Sequence, residues 1–178
     1  FAGAAQGVVI PPAMQPLACD VYEPKNDTLA ERPVIVLIHS GSFLPVISNG
    51  QAFGSKTDSS IVENCRRWAK KGYVAIAMTY RQGWAPTSNS QAVRTSTILQ
   101  AAYRGIHDAK AMIRFLRKSA DVDGNPYGVD ESKIVVGGQG TGGYLSMGYA
   151  TLDTVSELFI YPKFWDTSDS LPQNHTPL

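Results

Sequence analysis

The chain has 178 residues, 43% of them hydrophobic, and its 16 lysines and arginines against 15 acidic residues give a formal net charge of +1. That length and apolar content fit one domain with its own core and exclude a disordered or fibrous chain. Interspersed charges of both signs leave no footprint for nucleic acid or an anionic membrane surface, so small molecules and proteins remain as partners.

Phe1 is not an initiator methionine, and no basic, apolar leader pattern follows it. The start therefore reads as a processed end, an expression boundary or an incomplete reading frame, and an exported, periplasmic or cytoplasmic location is left open. The segment LACDVYEPK at 17–25 reads as a strand, with Cys19 and Val21 alternating against polar neighbours and Pro24 stopping it. VIVLIH at 34–39 is a continuous β-branched run of the kind expected when both faces of a parallel strand are covered. At 58–72, Ile61, Cys65, Trp68 and Ala69 fall at helical spacing between a cap at Asp58 or Ser59 and a stop at Gly72.

YVAIAMTY at 73–80 gives a third strand, followed by a long polar loop from Arg81 to about Thr97. From Ile98 to Leu116 one apolar stripe recurs every three or four residues, predicting a helix of about five turns. KIVVGG at 133–138 is a fourth strand, and GGYLSMGYATL opens a last helix. The longest apolar runs fall far short of the roughly 20 residues that cross a bilayer, so no membrane span is expected. Alternating strands and helices predict an α/β fold, a mostly parallel sheet flanked by helices on both faces. From Asp153 the periodicity is lost, and 153–178 reads as an irregular tail of a single domain over 1–178.

Cys19 and Cys65 are too few for a disulfide framework or a metal cluster. They read either as two buried thiols or as one bridge, and a bridge would belong to an exported protein. DVDGNP from Asp121 has the alternate acidic residues of a calcium loop, but Pro126 stands where its glycine is required and Ser132 where its bidentate glutamate is required. It reads as a plain helix-to-strand loop, and neither a metal nor a cofactor is expected. The acceptor patterns at Asn26 and Asn174 carry no weight without a secretory context.

HSGSF after the strand at 34–39, the run from GSKTDSS to YRQGW, AAYRGIHDAKAMIRFLRKSA and YGVDESKIVVGGQGTGGY together resemble, in order and separation, the N-terminal half of an α/β-hydrolase of the esterase and lipase type with an HGGGF loop. The resemblance covers about residues 17–150 and implies a truncated, three-layer αβα domain and a carboxylic ester as substrate class. It also implies a sharp strand-to-helix turn, G-x-S-x-G, whose serine is the nucleophile. Here the flanks of that turn are Gly138 and Gly142 and its centre is Gly140. Shifting the frame to Thr141 would put Gln139 in a flank, and Ser146 lies about 9 Å further down the helix. The nucleophile-equivalent position thus lacks a hydroxyl, and a normal esterase rate is not expected.

The resemblance assigns oxyanion-hole N–H donors to Gly41, Ser42 and Thr141, although Ser40 and Ser42 replace glycines in that loop. Set apart from the resemblance, HSGSF also reads as an ordinary strand-to-loop turn with His39 bonded locally. The acid and base of the family should follow behind later strands, which this chain lacks. His175 sits in a proline-rich tail, His107 falls on the polar side of its helix with Lys110, Arg114 and Arg117, and Asp153, Asp166 and Asp169 have no strand end to hold them. The catalytic residues are therefore unknown.

Three readings follow: a nucleophile-less relative of the esterases, a non-catalytic protein whose cleft holds a small ester or acyl ligand or a partner, and a fragment of a larger ester hydrolase that takes its missing groups from elsewhere. The strand at 133–138 is left with an open edge, so self-association as a homodimer through that edge or the following helix, or cover by 153–178, is expected.

Overall fold

A computed structural model describes residues 16–154 and residue 157. The chain forms β1 (Cys19–Tyr22), β2 (Arg32–Ile38), α1 (Val46–Asn49), α2 (Ser59–Ala69), β3 (Val74–Met78), α3 (Gln91–Asp121), β4 (Val129–Gly138) and α4 (Thr141–Thr151). The sheet order is β1-β3-β2-β4. β2 is parallel to both β3 and β4, while β1 lies antiparallel on β3, with Cys19 opposite Met78 and Tyr22 opposite Ala75.

The sheet is thus mixed, which corrects the expectation of a mostly parallel one. A parallel β1 would need a crossover long enough to return over a face, usually a helix. Residues 23–31 contain only turns and loop, and an antiparallel β1 ends at the edge where β2 begins.

Alternation along β2 divides the core. Val34, Val36 and Ile38, with Val74, Ile76 and Met78 of β3, pack against Ala101, Ile106, Ala109, Ile113 and Leu116 of α3 and Leu145 of α4. Ile35 and Leu37, with Ala75 and Ala77, pack against Ile61 and Cys65 of α2 on the opposite face. Helices therefore cover both faces, as the continuous apolar strands require.

Cys19 packs on the α3 side and Cys65 on the α2 side, and both thiols are free. Of the two readings of the cysteines the structure selects unbridged thiols, because the sheet stands between them.

α3 starts earlier than its apolar stripe indicates, so the polar loop ends before Gln91 rather than near Thr97. Ser90 caps the helix by accepting from the Val93 N–H, and Thr97 Oγ1 accepts from the Ala85 N–H at 3.1 Å while donating to the Val93 carbonyl. A capped first turn needs no buried face. β4 is also longer than KIVVGG: Val129 pairs with Arg32 and Ile134 with Val34, so 130–133 bulge from the ladder. Asp130 fastens the bulge, taking hydrogen bonds from the Ser132 N–H at 3.0 Å and hydroxyl at 2.5 Å and an ion pair from Lys133 at 2.6 Å. The segment from Asp121 is a loop in which Asp123 pairs with Lys118, and Asn125 bonds Val129 and the Ala30 carbonyl. Of the tail expected from Asp153, only residues 153, 154 and 157 are described.

Candidate functional site

The C-terminal ends of β2 and β4 lie side by side, Ile38 paired with Gly138, so the loop after β2 faces the turn after β4. In that turn Gly140 has φ 54° and ψ −119° and lies exposed at the start of α4. A side chain is strained there, whereas glycine takes the left-handed φ freely. The flanks leave no room either: a Cβ on Gly138 would strike the Gly142 backbone, and one on Gly142 would strike the Ile38 carbonyl.

Across from the turn, Gly41, Ser42 and Phe43 have φ values of 117°, 54° and 57°. The left-handed run is kept although Ser42 is not glycine. Its neighbours fix it, because Trp84 Nε1 donates to the Ser42 carbonyl at 2.8 Å and the Gly83 N–H donates to the Phe43 carbonyl at 2.7 Å. Gln82 donates to the Leu44 carbonyl at 2.9 Å and the Gly54 carbonyl at 3.2 Å. Arg81 holds the base of this loop through a two-pronged contact with buried Asp108 of α3, at 2.9 and 2.8 Å. The N–H groups of Gly41, Ser42 and Thr141 donate to no other described group.

Tyr80 ties loop and turn together. Its ring stacks on His39 with centroids 4.6 Å apart and meets Phe43 edge-on at 6.4 Å. Its hydroxyl donates to the Ser40 carbonyl at 3.3 Å and lies 3.2 Å from Thr141 Oγ1. Burial raises the Tyr80 hydroxyl above its ordinary pKa, so it keeps its proton at neutral pH. His39 is buried, with Nδ1 2.6 Å from the Ser40 carbonyl; a carbonyl only accepts, so Nδ1 carries the proton. Burial also lowers the His39 pKa and favours the neutral ring. The sequence reading missed Tyr80 and Trp84. The only signal for Tyr80 was an aromatic residue at the C-terminal end of a strand.

Other candidates lie elsewhere or are already engaged. Ser146 donates to the Gly143 carbonyl at 2.8 Å, as helical serines do. His107 is not the solvated residue its polar neighbours suggest. It is half-buried beside Tyr103, its Nε2 has no hydrogen-bond partner, and burial, then Arg81, pushes its pKa down to about 4. The Asp153 and Thr154 N–H groups both donate to Glu157. Asp166, Asp169 and His175 lie outside the described residues. Among the described residues no group of three His, Cys, Asp or Glu side chains could hold a metal, and no helix is long and apolar enough to cross a membrane.

The BD-FAE family model matches residues 19–170, from β1 through the turn and beyond α4. The chain belongs to the BD-FAE family, an α/β-hydrolase esterase family. Its similarity to solved structures agrees. Esterase 2 of the planctomycete Thermogutta terrifontis, in its propionate-bound form, is 27% identical with a TM-score of 0.53 over 74% of this chain and 39% of the esterase. The butyrate-bound form and the form phosphorylated by paraoxon match with the same identity and TM-score, the chain spanning 38% and 41% of those esterase chains. No curated protein matches the chain. This BD-FAE member thus spans less than half the length of the esterases it resembles.

Proposed function

We propose that this BD-FAE domain is an esterase relative whose cleft holds a small ester or acyl ligand without turning it over. What carries the reading is Gly140. The turn it centres resembles one that displays a nucleophilic side chain, and glycine at φ 54° and ψ −119° has no side chain to display. Acyl transfer through a covalent intermediate needs a nucleophile with a base beside it, and removing the serine of a well-studied serine hydrolase costs about 10⁶ in kcat. Gly138 and Gly142 take the part of the close-packed flanks of the turn. The N–H groups of Gly41, Ser42 and Thr141 take the part of donors to an acyl oxygen, a role that depends on backbone rather than on side chain. Neither acid nor base is assigned.

Short-chain carboxylates are the first ligands to try, since the similar esterase is described in propionate- and butyrate-bound forms. p-Nitrophenyl butyrate should be hydrolysed no faster than in buffer, while butyrate should raise the melting temperature. Saturable turnover with Gly140 intact, abolished by substitution at Ser42 or Thr141, would overturn the reading.

The limited share of the esterase chains that is spanned, 38–41%, favours a second reading, a portion of a larger carboxylic ester hydrolase. In that case Gly140→Ser, made together with Ser40→Gly to clear the space a side chain at 140 would enter, should restore hydrolysis only when a segment carrying acid and base is supplied. The domain also self-associates in this proposal. β4 ends the described sheet, and Val135 on it and Tyr144 and Met147 on α4 are exposed.

A further inference from the structure

The seat for a side chain at position 140 is already taken. A Cβ built on Gly140 lands on the Ser40 hydroxyl, and the three nearest atoms all belong to Ser40, with its Cβ at 3.1 Å and its Cα at 3.9 Å. The Ser40 main chain has little freedom to withdraw, because its carbonyl accepts from both His39 Nδ1 and Tyr80 Oη. Rotating χ1 would move the hydroxyl aside and still leave the Ser40 Cβ in tight contact. The hydroxyl itself makes no hydrogen bond to another described group, and Ser40 is half-buried beside Gly140.

We propose that Ser40 and Gly140 are an exchanged pair, in which the loop after β2, rather than the turn after β4, presents the hydroxyl of this cleft to a ligand's carbonyl or carboxylate oxygen. Ser40 acts there as a hydrogen-bond donor. It is not a nucleophile, because no base is bonded to its hydroxyl and the nearby imidazole spends its Nδ1 proton on the Ser40 carbonyl. The steric half of the inference stands on geometry alone. The ligand half rests on the proposed function, and the test keeps the two apart.

Four proteins are compared by thermal unfolding: wild type, Gly140→Ser, Ser40→Gly and the double variant. Gly140→Ser should lower the melting temperature in the wild-type background and cost clearly less in the Ser40→Gly background, since the coupling of two touching residues shows as non-additivity. If Gly140→Ser does not fold alone but folds with Ser40→Gly, the pair is upheld. An equal penalty in both backgrounds, or failure to fold in both, overturns it. Butyrate affinity is then measured for wild type and Ser40→Ala. Loss of one hydrogen bond should weaken binding about fivefold, or about 1 kcal/mol. Equal affinity in the two proteins overturns the donor role. Absence of any butyrate binding by the wild type instead counts against the proposed ligand site and leaves the unfolding comparison to decide the pair.

Discussion

His107 is an imidazole whose surroundings oppose its charge. Burial against Tyr103 disfavours its charge most, followed by Arg81, while Asp108 pulls the other way, and its Nε2 lacks a hydrogen-bond partner. The folded-state pKa of about 4 lies below the ordinary 6.5. Between those values the unfolded chain binds a proton that the native protein refuses, so this residue's contribution to stability is present above the ordinary pKa and is lost as pH falls toward the folded value. Urea midpoints at about pH 7 and about pH 4.5 should therefore differ more for the wild type than for His107→Gln. An equal loss in both proteins would place the acid sensitivity elsewhere. Tyr80 shows the other side of burial, since a hydroxyl that keeps its proton can bridge the Ser40 carbonyl and Thr141.

α3 and α4 approach closely because their contacts fall on glycine. A Cβ on Gly105 would lie 2.7 Å from both Leu145 methyls, and one on Gly148 would lie 2.5 Å from Ile106 Cδ1. Alanine in a helix interior gains up to about 1 kcal/mol over glycine, while forcing a methyl into a packed contact costs about 1–3 kcal/mol. Packing should win at Gly148, so Gly148→Ala is expected to lower stability by about 1 kcal/mol or more. Gly143 lies on the same helix with its nearest contact at 3.6 Å, so Gly143→Ala should raise stability by roughly 0.5–1 kcal/mol. Denaturant unfolding of the pair reads both signs; a gain at position 148 would show that the helices can separate freely. The apolar stripe from Ile98 to Leu116 exposed the buried face of α3. The turns before Ile98 have no such stripe and read as polar loop, and the structure shows Ser90 capping them.

At the scale of the molecule, β1 and β4 are the two edge strands of the sheet among the described residues. Val135, Tyr144 and Met147 are 53, 70 and 67% exposed, an apolar margin beside the β4 edge of the described sheet. Such an edge pairs with whatever strand reaches it. Sedimentation should show a dimer whose fraction rises with concentration, and Val135→Lys should shift it to monomer. A wild-type monomer with this edge solvent-exposed would refute self-association.

The sequence by itself determined the apolar strands at the centre of the sheet, the buried stripes of α2 and α3, and the glycines at 138, 140 and 142 of the turn after β4. All of these depend on local spacing and residue type. Only the tertiary structure decided that β1 runs antiparallel and that the cysteines lie on opposite faces. It alone decided that Ser40 fills the space above Gly140 and that Tyr80 fastens loop to turn. Each of these joins residues far apart in the chain, whose meeting depends on strand order and register, and no local pattern of side chains encodes that.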